Sequence, residues 1–273
     1  MAKAKAASKF HQGEFYKLKI MQKVDELNAA NVLTEVKRDQ ISVNYKGADL
    51  KFVRRDDRQT LHALLMLSEN FASDQYQMMD VKGKVLVDVG AFFGETAILF
   101  ALRGASRVYA FEPYPYSFEI AKENIELNGL GNKITLINKG CGLPGRVRVD
   151  EKHKNRMYSN LKNFRVGREI EVLSLKNIVE QYNIPIDSRL KLDCEGCENS
   201  LIMNANINTA LRFKQIFMEY HYGYKHLSEK LMSMLFDVKY GAPTVFNNPA
   251  ARKIMNMGLI FAEFVPDYKD ILE

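Results

Sequence analysis

Two groups of residues carry side chains of the kind that does chemistry. The first is VLVDVGAFFGET, residues 85–96, in which Asp88 precedes Gly90, Ala91, Phe92 and Gly94. Apolar β-formers run into an acid, then into glycines spaced G-x-x-x-G, then into a helix-forming segment. That order predicts a strand, a tight turn and a helix start, the place where α/β sheets hold a ligand at a strand's carboxyl end. The glycines let backbone approach a ligand closely, and the helix N-terminus offers unpaired N–H groups. Glu112, with Pro113 behind it, ends the next predicted strand, where a carboxylate can accept two hydrogen bonds from a ribose diol. The glycine spacing is not the G-x-G-x-x-G of dinucleotide sites, so no pyrophosphate cradle is expected. Asp88 would repel a pyrophosphate and suit an amino-acid ammonium group. The ligand these residues describe is S-adenosylmethionine.

The second group is LKLDCEGCENS, residues 190–200, followed by IFMEYH, which ends at His221. Methyl transfer from a sulfonium is an in-line displacement, so much of its catalysis is the positioning of two reactants. An acceptor hydroxyl must also lose its proton, and Asp193, Glu219 or His221 could take it. His221 has the best intrinsic pKa for that task. Two other readings stay open: Glu195 and Glu198 pair with Lys191 or Arg189 in a structural network, or the carboxylates hold a divalent ion that polarises the acceptor oxygen. Cys194 and Cys197 make a single C-x-x-C, and a zinc site would need further ligands, for which Cys141 and His221 are candidates. One such pair is weak evidence, so no metal is expected and the cysteines read as buried free thiols. An odd number of cysteines, three, argues against a disulfide framework and for a reducing, cytoplasmic setting.

These residues need a scaffold of alternating strands and helices, and the chain supplies one from Val81 onward. Strands are predicted at Val85–Val89, Arg107–Phe111, Ile134–Ile137, Leu190–Asp193 and Gln215–Glu219, with helices between them closed by Gly104 and Gly129. Successive βα units imply a parallel sheet with right-handed crossovers. The stretches Phe236–Tyr240 and Gly258–Phe264 read as a closing pair of strands. Upstream, residues 14–40 carry a helical pattern through Phe15, Leu18, Met21, Val24, Leu27 and Ala30. A hairpin turning at Gly47 and a helix over Thr60–Phe71 follow. Residues 1–80 therefore read as a cap whose apolar faces need a partner, and residues 81–273 as the main domain. The segment from Lys152 to Arg168 carries Lys154, Arg156, Lys162 and Arg165 with Tyr158 and Phe164. It is a solvated surface or an acceptor-binding lid for an anionic substrate or RNA.

A chain of 273 residues, 47% hydrophobic and 26% charged, can build an ordinary core. No apolar run is long enough to span a membrane. The basic N-terminus, MAKAKAASKF, lacks a following apolar region and reads as a solvated tail, not a secretory signal. The net charge of +6 is compatible with a phosphate-bearing partner without requiring one, which leaves nucleic acid open.

The stretches VLVDVGAFFGETAILFALRGASRVYAFEPYPYSFEIAKENIELN, LKLDCEGCE and IFMEYH resemble the FkbM-type methyltransferases, S-adenosylmethionine-dependent enzymes of the Rossmann-like class. The resemblance runs from about Asp74 to the C-terminus and leaves residues 1–40 uncovered. It implies methyl transfer, often to a hydroxyl oxygen, with an acceptor that varies among members. Matched to its motifs, Asp88, Gly90, Ala91 and Gly94 form the cofactor loop, Glu112 holds the ribose, and Asn138 faces the adenine. Asp193, in a block with Lys191, Glu195, Gly196 and Glu198, lies near the sulfonium. Glu219 and His221 are the acid and histidine after the fifth strand. Cys194 and Cys197 stand where members often carry an aliphatic or small residue.

The expected fold is α/β, a Rossmann-like class I methyltransferase with a mostly parallel seven-stranded sheet and an antiparallel terminal strand. The expected function is O-methylation of a hydroxyl-bearing acceptor, sugar-like or an anionic small molecule, with RNA methylation through residues 152–168 or an NAD-dependent oxidoreductase as alternatives. Asp193, His221 and Glu219 are the catalytic candidates. Asp88, Gly90, Ala91, Phe92, Gly94, Glu112, Pro113, Asn138 and Asp193 are the cofactor-binding ones. The oligomeric state stays open.

Overall fold

The computed structural model describes residues 2–150, 161, 163–248 and 253–266. Lys152, Lys154, Arg156, Tyr158 and Lys162 of the basic segment lie outside the described residues.

Helix α1, Ala2–Ala29, leads into an antiparallel sheet of β1 (Val32–Val36), β2 (Gln40–Tyr45) and β3 (Ala48–Val53). The expected helical stretch therefore stops short of residue 40. Val32, Thr34 and Val36 are β-branched and alternate with outward residues, a period-2 pattern that suits a strand. The buried face of α1 also differs from the expected one. Ile20 and Leu27 are buried, whereas Phe15, Leu18 and Met21 are more than half exposed, at 55, 68 and 63%. Helix α2, Asp57–Leu67, is capped by Asp56, whose carboxylate accepts from Gln59 N at 2.8 Å. It runs into a wider π-helical turn, Ser68–Ala72.

The main sheet is built from β4 (Val85–Val89), α3 (Glu95–Leu102), β5 (Arg107–Phe111), α4 (Pro115–Leu127) and β6 (Ile134–Ile137). A side sheet of β7 (Gly140–Cys141), β8 (Gly145–Val149) and β9 (Arg168–Leu173) interrupts the alternation. The chain then continues through α5 (Leu175–Gln181), β10 (Ser188–Leu192), α6 (Cys197–Met203), α7 (Ile207–Ala210), β11 (Phe213–Tyr220) and α8 (Lys225–Met232). It closes with β12 (Phe236–Tyr240), β13 (Thr244–Asn248) and β14 (Lys253–Phe264).

Strand order is β12-β14-β11-β10-β4-β5-β6, and β13 pairs with the first half of β14. The five strands from β6 to β11 are parallel, and β14 is antiparallel to both its neighbours in that order. This is the Rossmann-like, mostly parallel sheet with an antiparallel strand expected from the sequence, extended by β13. Strand order reverses at β4, because β5 and β6 lie on one side of it and β10 and β11 on the other. The crevice beyond the carboxyl ends of β4 and β10 is therefore the topological switch point where such sheets bind ligands.

One apolar cluster joins α1, α2 and the β1–β3 sheet to α3 and α4, and a second packs α5 to α8 on the opposite face. Asn124 of α4 and Asn128, which caps its C-terminus, hold β3 in place. Asn124, 1% exposed, accepts from Val53 N and donates to Phe93 O, both at 2.7 Å. At the end of α4, Asn128 accepts from Lys51 N at 2.9 Å and donates to Lys51 O at 2.7 Å. Among the described residues no helix is long and apolar enough to cross a membrane.

Candidate active site

At the end of β4 the chain must turn sharply, and the residues there show how. Gly90 has φ +85°, and a Cβ on it would lie 1.8 Å from the carbonyl oxygen of Asp193. Only glycine fits where the turn after β4 meets the chain leaving β10. Gly90 N and Ala91 N both donate to Phe111 O at 3.0 Å, and Asp193 N donates to Val89 O at 3.1 Å. The ends of β5, β4 and β10 are thus tied together.

Beneath this turn lies a buried ion pair. Strand register sets Lys191 of β10 directly beside Asp88 of β4. Lys191 Nζ lies 2.9 Å from Asp88 Oδ1 and donates to Gly90 O at 2.9 Å. Thr96 Oγ1 donates to Asp88 Oδ2 at 2.6 Å. Burial alone would lower the Lys191 pKa, but the charges of Asp88, Asp193 and Glu95 outweigh it and raise it. Asp88, fully buried and held by Lys191 and Thr96, supports the loop from below instead of facing a ligand.

A cavity of about 570 Å³ opens above the switch point. Of the sequence-predicted residues, Gly90, Phe92, Glu112, Pro113, Asp193 and Glu219 line it. Asp88, Ala91, Gly94, Asn138 and His221 stand behind the wall. Gly94 is the left-handed residue, φ +81°, from which α3 starts. Asn138 Nδ2 donates to Glu112 O at 2.8 Å and Pro113 O at 3.2 Å, so it clasps the Glu112 turn from behind.

Glu112 accepts from Phe92 N at 3.0 Å through Oε2 and from Tyr114 N at 2.9 Å through Oε1. Its oxygens keep lone pairs for further donors. Burial raises its pKa to about 8 against the pull of those two N–H groups. Glu95, on the first turn of α3, is also raised to about 8 by burial, and its Oε2 is buried with no hydrogen-bond partner. The glycine turn, the ribose-type carboxylate and the unpartnered Glu95 oxygen fit the backbone-facing nucleoside, the diol and the ammonium group of S-adenosylmethionine.

Four further carboxyls gather on a wall that is otherwise mostly apolar and also carries Lys139 and Lys191. Glu69, from the π-helical turn after α2, joins Asp193, Glu195 and Glu219. Burial, then the charge of Asp193, lifts Glu69 to about 7 and Glu219 to about 8. Glu195 is raised to about 7, mainly by burial. Behind them His221, 2% exposed, sets Nδ1 2.8 Å from Glu198 Oε1. Burial would lower its pKa, but the Glu198 hydrogen bond and the charges of Glu198, Glu195 and Asp193 raise it to about 10. An imidazole already protonated cannot accept a proton, which weakens His221 as a base.

The turn from β10 to α6 carries the clearest departure from expectation. Cys194 and Cys197 form a disulfide, not free thiols. Left-handed Glu195, φ +60°, and Gly196, φ +115°, fold the turn back until the two Cα atoms are 5.5 Å apart, within bridging range. Cys141 is free and buried.

Lys191, Glu95 and Glu69 were not among the expected site residues. Lys191 and Glu95 stand inside the two chemical motifs, so their sequence signal was their position. Glu69 had none, because its place depends on how α2 docks.

The family model of the methyltransferase FkbM domain matches residues 88–240. The ribosomal protein L11 methyltransferase of Carboxydothermus hydrogenoformans is 49% identical over 55 residues, 20% of this chain and 18% of that protein. The tRNA (guanine(37)-N(1))-methyltransferase Trm5b of Methanocaldococcus jannaschii is 29% identical over 128 residues, 43% of this chain and 36% of the relative. The matched stretch thus spans well under half the length of either curated relative. Among solved structures, M. capricolum TrmK in complex with S-adenosyl-homocysteine aligns with a TM-score of 0.45 at 13% identity, covering 72% of this chain and 69% of that one. With the FkbM model matching more than half of its length, the chain belongs to the FkbM-domain methyltransferases.

Proposed function

We propose that the enzyme methylates a hydroxyl oxygen of a small, uncharged, sugar-like acceptor. The observation that carries this reading is one cavity whose wall holds both Glu112, suited to a ribose diol, and the carboxylates Asp193 and Glu219. S-adenosylmethionine supplies an electrophilic methyl group when bound. Glu112 accepts the ribose hydroxyls, and the Glu95 carboxyl accepts the ammonium group. Asp193, tied to β4 through its own N–H, sits where the strand ends converge and orients the acceptor hydroxyl. Glu219, its pKa raised to about 8 by burial and the charge of Asp193, stands beside the acceptor position; it takes the acceptor's proton in its ionised form, which becomes the main form above about pH 8. His221 positions Glu195 and Glu198 from behind.

The carboxyls Glu69, Asp193, Glu195 and Glu219 outnumber Lys139 and Lys191 on the wall, which favours an uncharged acceptor over an anionic one. The same carboxyls disfavour an RNA phosphate entering this space. The family match removes the NAD-dependent alternative.

Release of S-adenosylhomocysteine from S-adenosylmethionine, read by mass spectrometry across neutral polyols, phenols, amines and phosphorylated sugars, tests the acceptor class. Neutral hydroxyl compounds are expected to turn over and phosphorylated ones are not; turnover of amines alone refutes the reading. Asp193→Asn is expected to lower kcat by at least about 10²-fold while S-adenosylhomocysteine affinity stays within about threefold. Wild-type turnover in that variant removes Asp193 from the reaction.

A further inference from the structure

Ligand atoms of Asp193, Glu195 and His221 all lie within 4.8 Å of one another. Bonds of ~2.1 Å, usual for Zn²⁺ with carboxylate or imidazole, put two ligand atoms at most ~4.2 Å apart. In a tetrahedral site the same bonds put ligand atoms ~3.4 Å apart, so side-chain rotations that close the widest pair by up to about 1.4 Å bring the set around an ion.

The second observation is the state of His221. Its ring is 2% exposed and held at Nδ1 by Glu198, itself 2% exposed, whose Oε1 also accepts from Cys194 N at 3.3 Å. That leaves Nε2 aimed at Glu195 Oε2, 3.4 Å away, and Glu219 Oε1, 3.9 Å away. Both distances exceed the ~3.2 Å of a formed N–H···O bond. Glu195 Oε2 is itself buried with no hydrogen-bond partner. A carboxylate that fixes one ring nitrogen so that the other points into a cluster of oxygens is the orientation device of metal-bound histidines. Charge agrees with this: Asp193, Glu195, Glu198 and Glu219 surround a single imidazole.

We propose that Asp193, Glu195 and His221 bind one divalent first-row cation, which displaces the His221 Nε2 proton to solvent, with Glu219 beside it and open positions facing the cavity. One imidazole with carboxylates suits Mn²⁺ or Zn²⁺ better than Ca²⁺. Asp193, Glu195 and Glu219 line the cavity, so an ion can enter and a substrate oxygen can reach it. Its catalytic use rests on the methyl-transfer reading above; its binding does not. In that use the ion polarises the acceptor hydroxyl and the proton passes to Glu219. The oxygen–carbon bond then forms as the carbon–sulfur bond breaks, its electron pair leaving on sulfur to give S-adenosylhomocysteine.

The test is a titration of MnCl₂ into chelator-stripped full-length protein, with the six-line electron paramagnetic resonance signal of free Mn²⁺ as readout. One Mn²⁺ per chain is expected, displaced by Zn²⁺. Glu195→Gln and His221→Gln are each expected to weaken binding at least about tenfold, and Glu198→Gln by about 10- to 100-fold through loss of ring orientation. Glu195 lies in the turn between β10 and α6 and its Oε2 makes no hydrogen bond, so Glu195→Gln breaks no hydrogen bond there and keeps the test alive where His221→Gln does not fold. Glu112→Ala is expected to lose S-adenosylhomocysteine but keep Mn²⁺, which separates failure of the metal site from failure of the donor site. An unchanged signal with wild-type protein, or full Mn²⁺ affinity in both Glu195→Gln and folded His221→Gln, overturns the proposal.

Discussion

Gly90→Ala tests the central claim that the donor loop and the catalytic strand meet through bare backbone. The new methyl carbon would lie 1.8 Å from Asp193 O and 2.8 Å from its carbonyl carbon. Real carbons essentially never come within 3.0 Å, so the turn after β4 and the end of β10 must part by more than an ångström. That movement breaks the 3.1 Å hydrogen bond from Asp193 N to Val89 O. A left-handed alanine costs roughly 1–2 kcal/mol, and the lost bond and displaced strand end add roughly 1–2 more. At ~2–4 °C per kcal/mol for a chain of this size, the melting temperature is expected to drop by about 5–15 °C. Function is expected to suffer more, because a misplacement of ~1 Å at a reacting group removes about 10²-fold in rate. Gly83 is the control. It has φ +71° and nothing within 4 Å of a built Cβ, so Gly83→Ala carries the backbone term alone. Thermal denaturation and calorimetry with S-adenosylhomocysteine are the assays. If Gly90→Ala melts with Gly83→Ala and binds S-adenosylhomocysteine as the wild type does, the close approach is not what positions the site.

Thr96→Val keeps the shape of the side chain and removes the 2.6 Å donor to Asp88, a charge-assisted bond, so chemical denaturation is expected to show a loss of about 1.5–3 kcal/mol. Asn124→Ala leaves Val53 N–H and Phe93 C=O unpaired and is expected to cost about 2–4 kcal/mol, with hydrogen exchange in β3 accelerating before that in β4; uniform protection would deny that Asn124 docks the N-terminal sheet. Glu95 and Glu112 hold their protons up to about pH 8, whereas the unfolded chain releases them near 4.5. Their contribution to stability is therefore complete at low pH and is lost as pH rises toward 8, by up to ~1.4 kcal/mol per unit for each group. Melting temperatures measured without ligand are expected to fall from pH 6 to 9, and a rise over that range contradicts the burial argument.

Much of the scaffold was legible because its signals are local. Strands β5, β6 and β12 fall on their predicted residues, since each is a run of β-formers, and Gly104 and Gly129 close α3 and α4 as caps do. Glu112, Asp193 and Glu219 were legible as strand-end acids. What failed depended on distance in the chain. The helical periodicity of α1 is real, but which stripe is buried depends on α2 and β1, so Leu18 and Met21 were assigned to the wrong face. Asp88 read as a ligand-facing acid because its partner Lys191 arrives from another strand, through parallel register alone. The disulfide needed the left-handed backbone of Glu195, which the residue type does not advertise.

The π-helical turn that delivers Glu69 has a consequence for how the activity is divided along the chain. The family match begins at residue 88 and ends at 240, yet the cavity is also walled by Met66, Glu69 and Gln75 before it and by Thr244, Met255 and Met257 after it. The residues proposed to hold the donor lie in the shared middle, and part of the remaining wall in two flanks that hydrogen-bond to it but do not share its motifs. Such a division makes the enzyme modular. Changes confined to Met66, Glu69, Thr244 or Met257 would reshape the chamber while leaving the Asn124 bridge from β3 to Phe93 in place, a route by which acceptor choice varies around a constant loop.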